Sequence, residues 1–159
     1  MDKKEALKQI KAGKDEEGNN YFSLADADEK LKADKEVVLE AVKQDGYALD
    51  YADENFKKKK EIVLIAVKCE GSAIQFADDS FKKDKEIVYE AVKQYGDALE
   101  YVDDTFKKNK EIVLEAVKNS GRSFDYVDED LKYDKDVIIE AVRQYHSSAL
   151  DYIVEESLT

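Results

Sequence analysis

Apolar residues along this chain recur as doublets four residues apart. Val37-Val38 is followed by Ala41-Val42, Ile62-Val63 by Ala66-Val67, Ile87-Val88 by Ala91-Val92, Ile112-Val113 by Ala116-Val117, and Val137-Ile138 by Ala141-Val142. That spacing sets all four side chains on one stripe of an α-helix. The flanks agree. Asp34, Asp84, Asn109 and Asp134 stand where an N-cap belongs, because their side-chain oxygens accept orphan backbone N–H groups. An acid follows in the first turn (Glu36, Glu61, Glu86, Glu111, Asp136), where the helix end is positive. Val and Ile also suit strands, but the caps and a length of about 11 residues favour helix. Gly46, Gly71, Gly96 and Gly121 stand at the stops, where a left-handed conformation is cheap for glycine. A shorter second helix is predicted after each glycine, with Ala48, Leu49 and Ala52 on one face. Phe56, Phe81, Phe106 and Leu131 then anchor a turn into the next copy.

The four glycines lie 25 residues apart, so the chain is an internal repeat. A further copy starts at Asp134, with His146 in the glycine place. The first copy is displaced by an insertion at Ala12-Gly13-Lys14-Asp15-Glu16-Glu17-Gly18-Asn19-Asn20, which reads as a loop. Six repeats result: 2–33, 34–58, 59–83, 84–108, 109–133 and 134–159. One such unit cannot bury its apolar face alone, whereas a stack can. The expected fold is all-α: one domain, an α-solenoid of six stacked αα-hairpin repeats of about 25 residues each.

The run Asp34-Lys35-Glu36-Val37-Val38-Leu39-Glu40-Ala41-Val42-Lys43-Gln44-Asp45-Gly46-Tyr47-Ala48-Leu49-Asp50-Tyr51-Ala52 resembles a bacterial and viral repeat family, domain of unknown function 4116. The resemblance extends from about Leu24 to Tyr152. It implies a helical repeat fold and brings no established reaction and no catalytic residues.

Composition narrows the function. The 159 residues include 26 basic and 38 acidic side chains, giving a net charge of −12, with one Cys and one His. The acidity argues against direct nucleic-acid binding, which relies on neutralising phosphates. No apolar run is long enough to span a bilayer, and the first residues do not read as a secretory signal. One Cys and one His give no multi-residue metal site. The acidic stretches lack calcium-loop order, and the paired carboxylates sit in charged turns where nothing raises a pKa. No cofactor and no enzymatic activity are expected.

Four surface features are candidates for binding. An acidic ladder, Asp53-Glu54, Asp78-Asp79, Asp103-Asp104 and Asp128-Glu129, returns at one place in successive repeats. It reads either as turn and cap chemistry or as a stripe facing a basic partner. An aromatic column, Tyr51, Phe76, Tyr101, Tyr126 and Tyr152, reads as packing. In the repeat 59–83, Ile65 and Cys69 replace polar residues one turn apart, giving a small apolar spot that could contact a partner or a second copy. Tyr95 and Tyr145, at positions that vary between repeats, are candidate interface anchors. His146 reads as an exposed helix-end residue. The expected activity is that of a non-enzymatic scaffold binding another protein with a basic surface, in the cytoplasm of the producing or host cell, without membrane contact. The alternative is a nucleic-acid mimic that blocks the basic groove of a nuclease or defence complex, of the anti-CRISPR or anti-restriction type.

Overall fold

The computed structural model describes residues 1–13 and 22–144. Six α-helices form its main row: α1 (Lys3–Ala12), α2 (Lys35–Gln44), α3 (Lys60–Cys69), α4 (Lys85–Gln94), α5 (Lys110–Asn119) and α6 (Lys135–Arg143). Each packs on the next, and no strand occurs among the described residues. The apolar doublets form the core. Val37, Val38, Ala41 and Val42 are buried, as are their counterparts in α3, α4 and α5.

The N-caps fall where the sequence put them. Asp34 Oδ1 accepts from the N–H groups of Glu36 at 3.0 Å and Val37 at 3.2 Å, and Asp84 and Asp134 do the same at their own helices. Lys59 holds this place at α3 and makes no side-chain cap, although its backbone (φ −106°, ψ 108°) is already extended like that of Asp34 (φ −91°, ψ 117°). Lys59→Asp is therefore expected to stabilise the protein by about 1 kcal/mol, the usual contribution of a cap. A thermal melt that does not rise would show that the end of α3 is already satisfied.

The second arm of each repeat is wound more tightly than expected. It is 3-10 helix over Leu24–Asp26, Gly71–Phe76, Gly96–Tyr101 and Gly121–Tyr126, and one α-turn over Ala48–Tyr51. The reason is in the pattern. With three residues per turn, positions three apart align, so Gly71, Ile74 and Ala77 face inward together, as do Gly96, Leu99 and Val102. These segments form a second row, and from Ala48–Tyr51 onward each is wedged between its own long helix and the following one. A one-turn helix then closes each repeat, at Glu29–Lys32, Glu54–Lys57, Asp104–Lys107 and Glu129–Lys132, with a 3-10 turn at Phe81–Lys83.

The glycines have a different role from the one the helix stops suggest. Gly13 is the one described glycine with positive φ (82°). The residues that end the long helices, Asp45, Glu70, Tyr95 and Ser120, are extended instead. Gly46, Gly71 and Gly96 are needed because the next repeat lies directly against them. A Cβ on Gly46 would stand 2.5 Å from the carbonyl oxygen of Ala66 and 2.8 Å from Glu70 Cβ.

Candidate functional site

The acidic ladder is built into the joints between repeats. The backbone N–H of Asp53, Asp78, Asp103 and Asp128 donates to the carbonyl of Lys32, Lys57, Lys82 and Lys107 of the preceding repeat, at 3.0–3.1 Å. The side chains then cap the one-turn helices. Asp53 Oδ1 accepts from Asn55 N–H at 2.9 Å, Asp78 Oδ1 from the N–H and hydroxyl of Ser80, Asp103 Oδ1 from those of Thr105, and Asp128 Oδ1 from Asp130 N–H. These bonds favour the ionised form, so Ser80 and Thr105 hold Asp78 and Asp103 below the usual carboxylate range.

The second acid of each pair is held by a lysine three residues on. Glu54–Lys57, Asp79–Lys82, Asp104–Lys107 and Glu129–Lys132 are 2.8–2.9 Å apart, and the acids are highly exposed. Lys83 and Lys108 also lie 3.5 Å from Asp103 and Asp128. Residues 53–58, 78–83 and 103–108 each carry as many lysines as acids. Turn chemistry accounts for the ladder's geometry.

A second chain of ion pairs links the starts of the long helices. Lys3 pairs with Asp34 and Glu36, Lys60 with Asp84 and Glu86, and Lys110 with Asp134 and Asp136, all within 3.0 Å. Where the cap is Lys59 or Asn109 there is one pair only, Lys35–Glu61 at 3.3 Å and Lys85–Glu111 at 2.7 Å. The linkage thus alternates with a period of two repeats. The hydrogen bond from Lys60 depresses the Asp84 carboxyl against the opposing effect of partial burial. For Asp34 and Asp134 burial is the largest influence and acts upward, but the pairs with Lys3 and Lys110 and the cap bonds together outweigh it.

These depressed carboxyls predict the acid response. A folded-state value below the unfolded one of 3.8 means stability that is present above that pH and lost as pH falls through the folded value. The melting temperature should be flat near neutrality and drop below pH 4. Asp84→Asn should shrink that drop; an unchanged slope would mean the Lys60 pair does not couple to folding.

The apolar spot is not on open display. Ile65 is half-buried and packs against the core, because an apolar side chain at the stripe's edge folds onto its neighbours. Cys69 is also half-buried, with Sγ 3.7 Å from the Lys43 carbonyl of the preceding helix. The equivalent Asn119 explains the position. Its Nδ2 donates to Lys93 O at 2.9 Å while its Oδ1 accepts from Gly96 N–H at 2.6 Å, stapling two repeats together. Gln94 Nε2 reaches Cys69 O at 3.3 Å. Tyr145, His146 and Tyr152 lie outside the described residues.

Apart from Tyr133, which ends the one-turn helix Glu129–Lys132, the exposed aromatics among the described residues gather on the row of second arms. Tyr47, Tyr51 and Tyr95 are each more than 40% exposed, while Phe76, Tyr101 and Tyr126 are half-buried against the core. Tyr47 leans over the next repeat, with its hydroxyl 2.6 Å from Ser72 Oγ and its ring edge-on to Phe76. One position further along the row is Asp97, whose side chain is 7% exposed. Tyr95 Oη donates to Asp97 Oδ2 at 3.5 Å, and Arg122 Nε is 3.7 Å from the same oxygen. Asp97 Oδ1 has no hydrogen-bond partner. Burial raises the hydroxyl pKa of Tyr95, Tyr101 and Tyr126, and the charges of Asp97 and Glu100 add to the rise. Sequence reasoning singles out Tyr95 as an anchor and counts Asp97, with Tyr47, Ser72 and Arg122, only among the variable positions close by.

The row of long helices, the row of 3-10 segments and the repeated joints define an all-α repeat solenoid. The family model described as Domain of unknown function (DUF4116) matches residues 18–57, 59–107 and 109–156, and the chain belongs to this family. The second and third matches each cover two long helices, the same two-repeat period as the ion pairs. No curated protein and no solved structure matches the chain. Among the described residues, no helix is long and apolar enough to cross a membrane, and no group of His, Cys, Asp and Glu is placed to hold a metal ion.

Proposed function

We propose that this protein works by binding another protein, with the outer face of the 3-10 row as the contact surface and no catalytic step of its own. The observation that carries this reading is the division within each repeat. Inward positions keep one type (Gly46, Gly71, Gly96, Gly121; Leu49, Ile74, Leu99, Phe124), while the residue after each glycine changes from repeat to repeat, exposed as Tyr47 and Arg122 and covered as Ser72 and Asp97, and the solvent-facing residues Asp50, Glu100 and Asp125 give way to Gln75 in one repeat. A fixed frame presenting unlike side chains in a row suits recognition of an extended surface. Large aromatics there are the usual anchors of an interface.

The charge pattern favours a basic partner. Residues 46–51, 71–76, 96–101 and 121–126 hold no lysine, and their acids outnumber the single Arg122. The nucleic-acid-mimic reading has less support, since the ladder's carboxylates are each engaged by caps and lysines. The test is capture from an extract of the producing cells on immobilised protein, followed by direct binding with the purified partner. Tyr47→Ala with Tyr95→Ala should abolish binding, while Asp103→Lys with Asp104→Lys should leave it. The reverse result would move the contact to the ladder and revive the mimic, with affinity falling steeply as salt rises.

A further inference from the structure

We propose that Asp97, the covered carboxylate of the 3-10 row beside Tyr95 and Arg122, receives an arginine side chain of the partner. The inference rests on the protein-binding reading and adds the chemistry of one contact. It starts from a cost. A carboxylate taken out of water is unfavourable unless hydrogen bonds and an opposite charge replace the solvent. Asp97 has lost most of its solvent, yet no partner among the described residues lies closer than 3.5 Å, and Oδ1 has none. Other repeats avoid the cost by placing Tyr47, Ser72 or Arg122 at this position.

The surroundings select a guanidinium. The chain's own Arg122 shows that one fits beside Oδ2, but at 3.7 Å and 78% exposed it balances charge without completing a hydrogen bond. An incoming guanidinium can donate to the carboxylate in parallel and lie over tyrosine rings, a combination that a lysine ammonium cannot reproduce. The carboxylate's terminal torsion is soft, so Oδ1, enclosed and unpaired here, can exchange places with Oδ2. Glu100, exposed beside Tyr101 and Tyr126, adds a second negative charge on the same segment.

The probe is a fluorescein-labelled hexa-arginine peptide, titrated against the full chain at physiological salt and read by anisotropy. Saturable binding is expected, with hexa-lysine several-fold weaker. Asp97→Asn should weaken it about tenfold, the loss of one charge-assisted pair, and Tyr95→Ala, at an exposed position, should weaken it in the same direction. Asp78→Asn with Asp79→Asn removes more charge from the ladder and should leave affinity within about twofold. Far-ultraviolet circular dichroism checks that each variant stays helical. Absence of binding by the wild type, equal binding of the two peptides, or an equal loss in the ladder variant would each overturn the arginine site. The scaffold reading would survive any of these if the captured partner still depends on Tyr47 and Tyr95, and would fall by itself if it does not.

Discussion

Gly71→Ala is expected to destabilise the protein by about 2–3 kcal/mol, the upper part of the range for overpacking a close contact. The added Cβ meets the carbonyl oxygen of Ala91, and it lies 2.8 Å from Tyr95 Cβ and 2.9 Å from Tyr95 N. These are backbone atoms and a Cβ, so no rotamer change relieves the clash. α4 must move away from α3, which loosens the packing of Val63 and Val67 against the next repeat. Gly13→Ala is the contrast. Gly13 has φ of 82° and nothing within 4 Å of the added carbon, so its cost is conformational, about 1–2 kcal/mol. Urea unfolding of both variants separates clash from strain. If Gly71→Ala costs no more than Gly13→Ala, close approach is not what position 71 requires.

That comparison also marks where sequence reasoning reached and where it stopped. The long helices were legible because four apolar residues, a cap and a first-turn acid all agree within one element, as at Asp34 to Val42. The role of Gly46, Gly71 and Gly96 was not, because it is set by the carbonyls of Ala66, Ala91 and Ala116 in the following repeat. A helix-ending glycine looks the same in sequence whether it answers to its own φ or to a neighbour. The winding of the second arm was partly legible. Gly46, Leu49 and Ala52 recur at a spacing of three in later repeats, a 3-10 signal that an α-helical template of 3.6 residues per turn obscures. Counting charges points to Asp53, Asp78, Asp103 and Asp128 as a stripe, but a count does not reveal that each of them also caps a one-turn helix or 3-10 turn. Asp97 is a single acid in the sequence and becomes distinctive only through burial with one carboxylate oxygen left unpaired.

Phe124→Ala carries the largest expected loss, about 3–5 kcal/mol. Phe124 is the largest of the fully buried side chains, and it occupies the place held by Leu49, Ile74 and Leu99 elsewhere. Its segment touches α5, α6 and the 3-10 segment Gly96–Tyr101, so the cavity opens where three elements meet. Phe124→Leu restores the residue used at 49 and 99 and should cost only about 1 kcal/mol. The location of the damage is as informative as its size. In a solenoid each repeat leans on its neighbours alone, so stability is a sum of local terms. Amide hydrogen exchange in Phe124→Ala should therefore accelerate first in α6 and in residues 121–126, while α2 and α3 keep their protection. Leu49→Ala should reverse the pattern, releasing α2 before α5. Uniform acceleration along the whole chain in both variants would mean that the row of helices opens as one cooperative body, and the repeat-by-repeat account of its energetics would have to be abandoned.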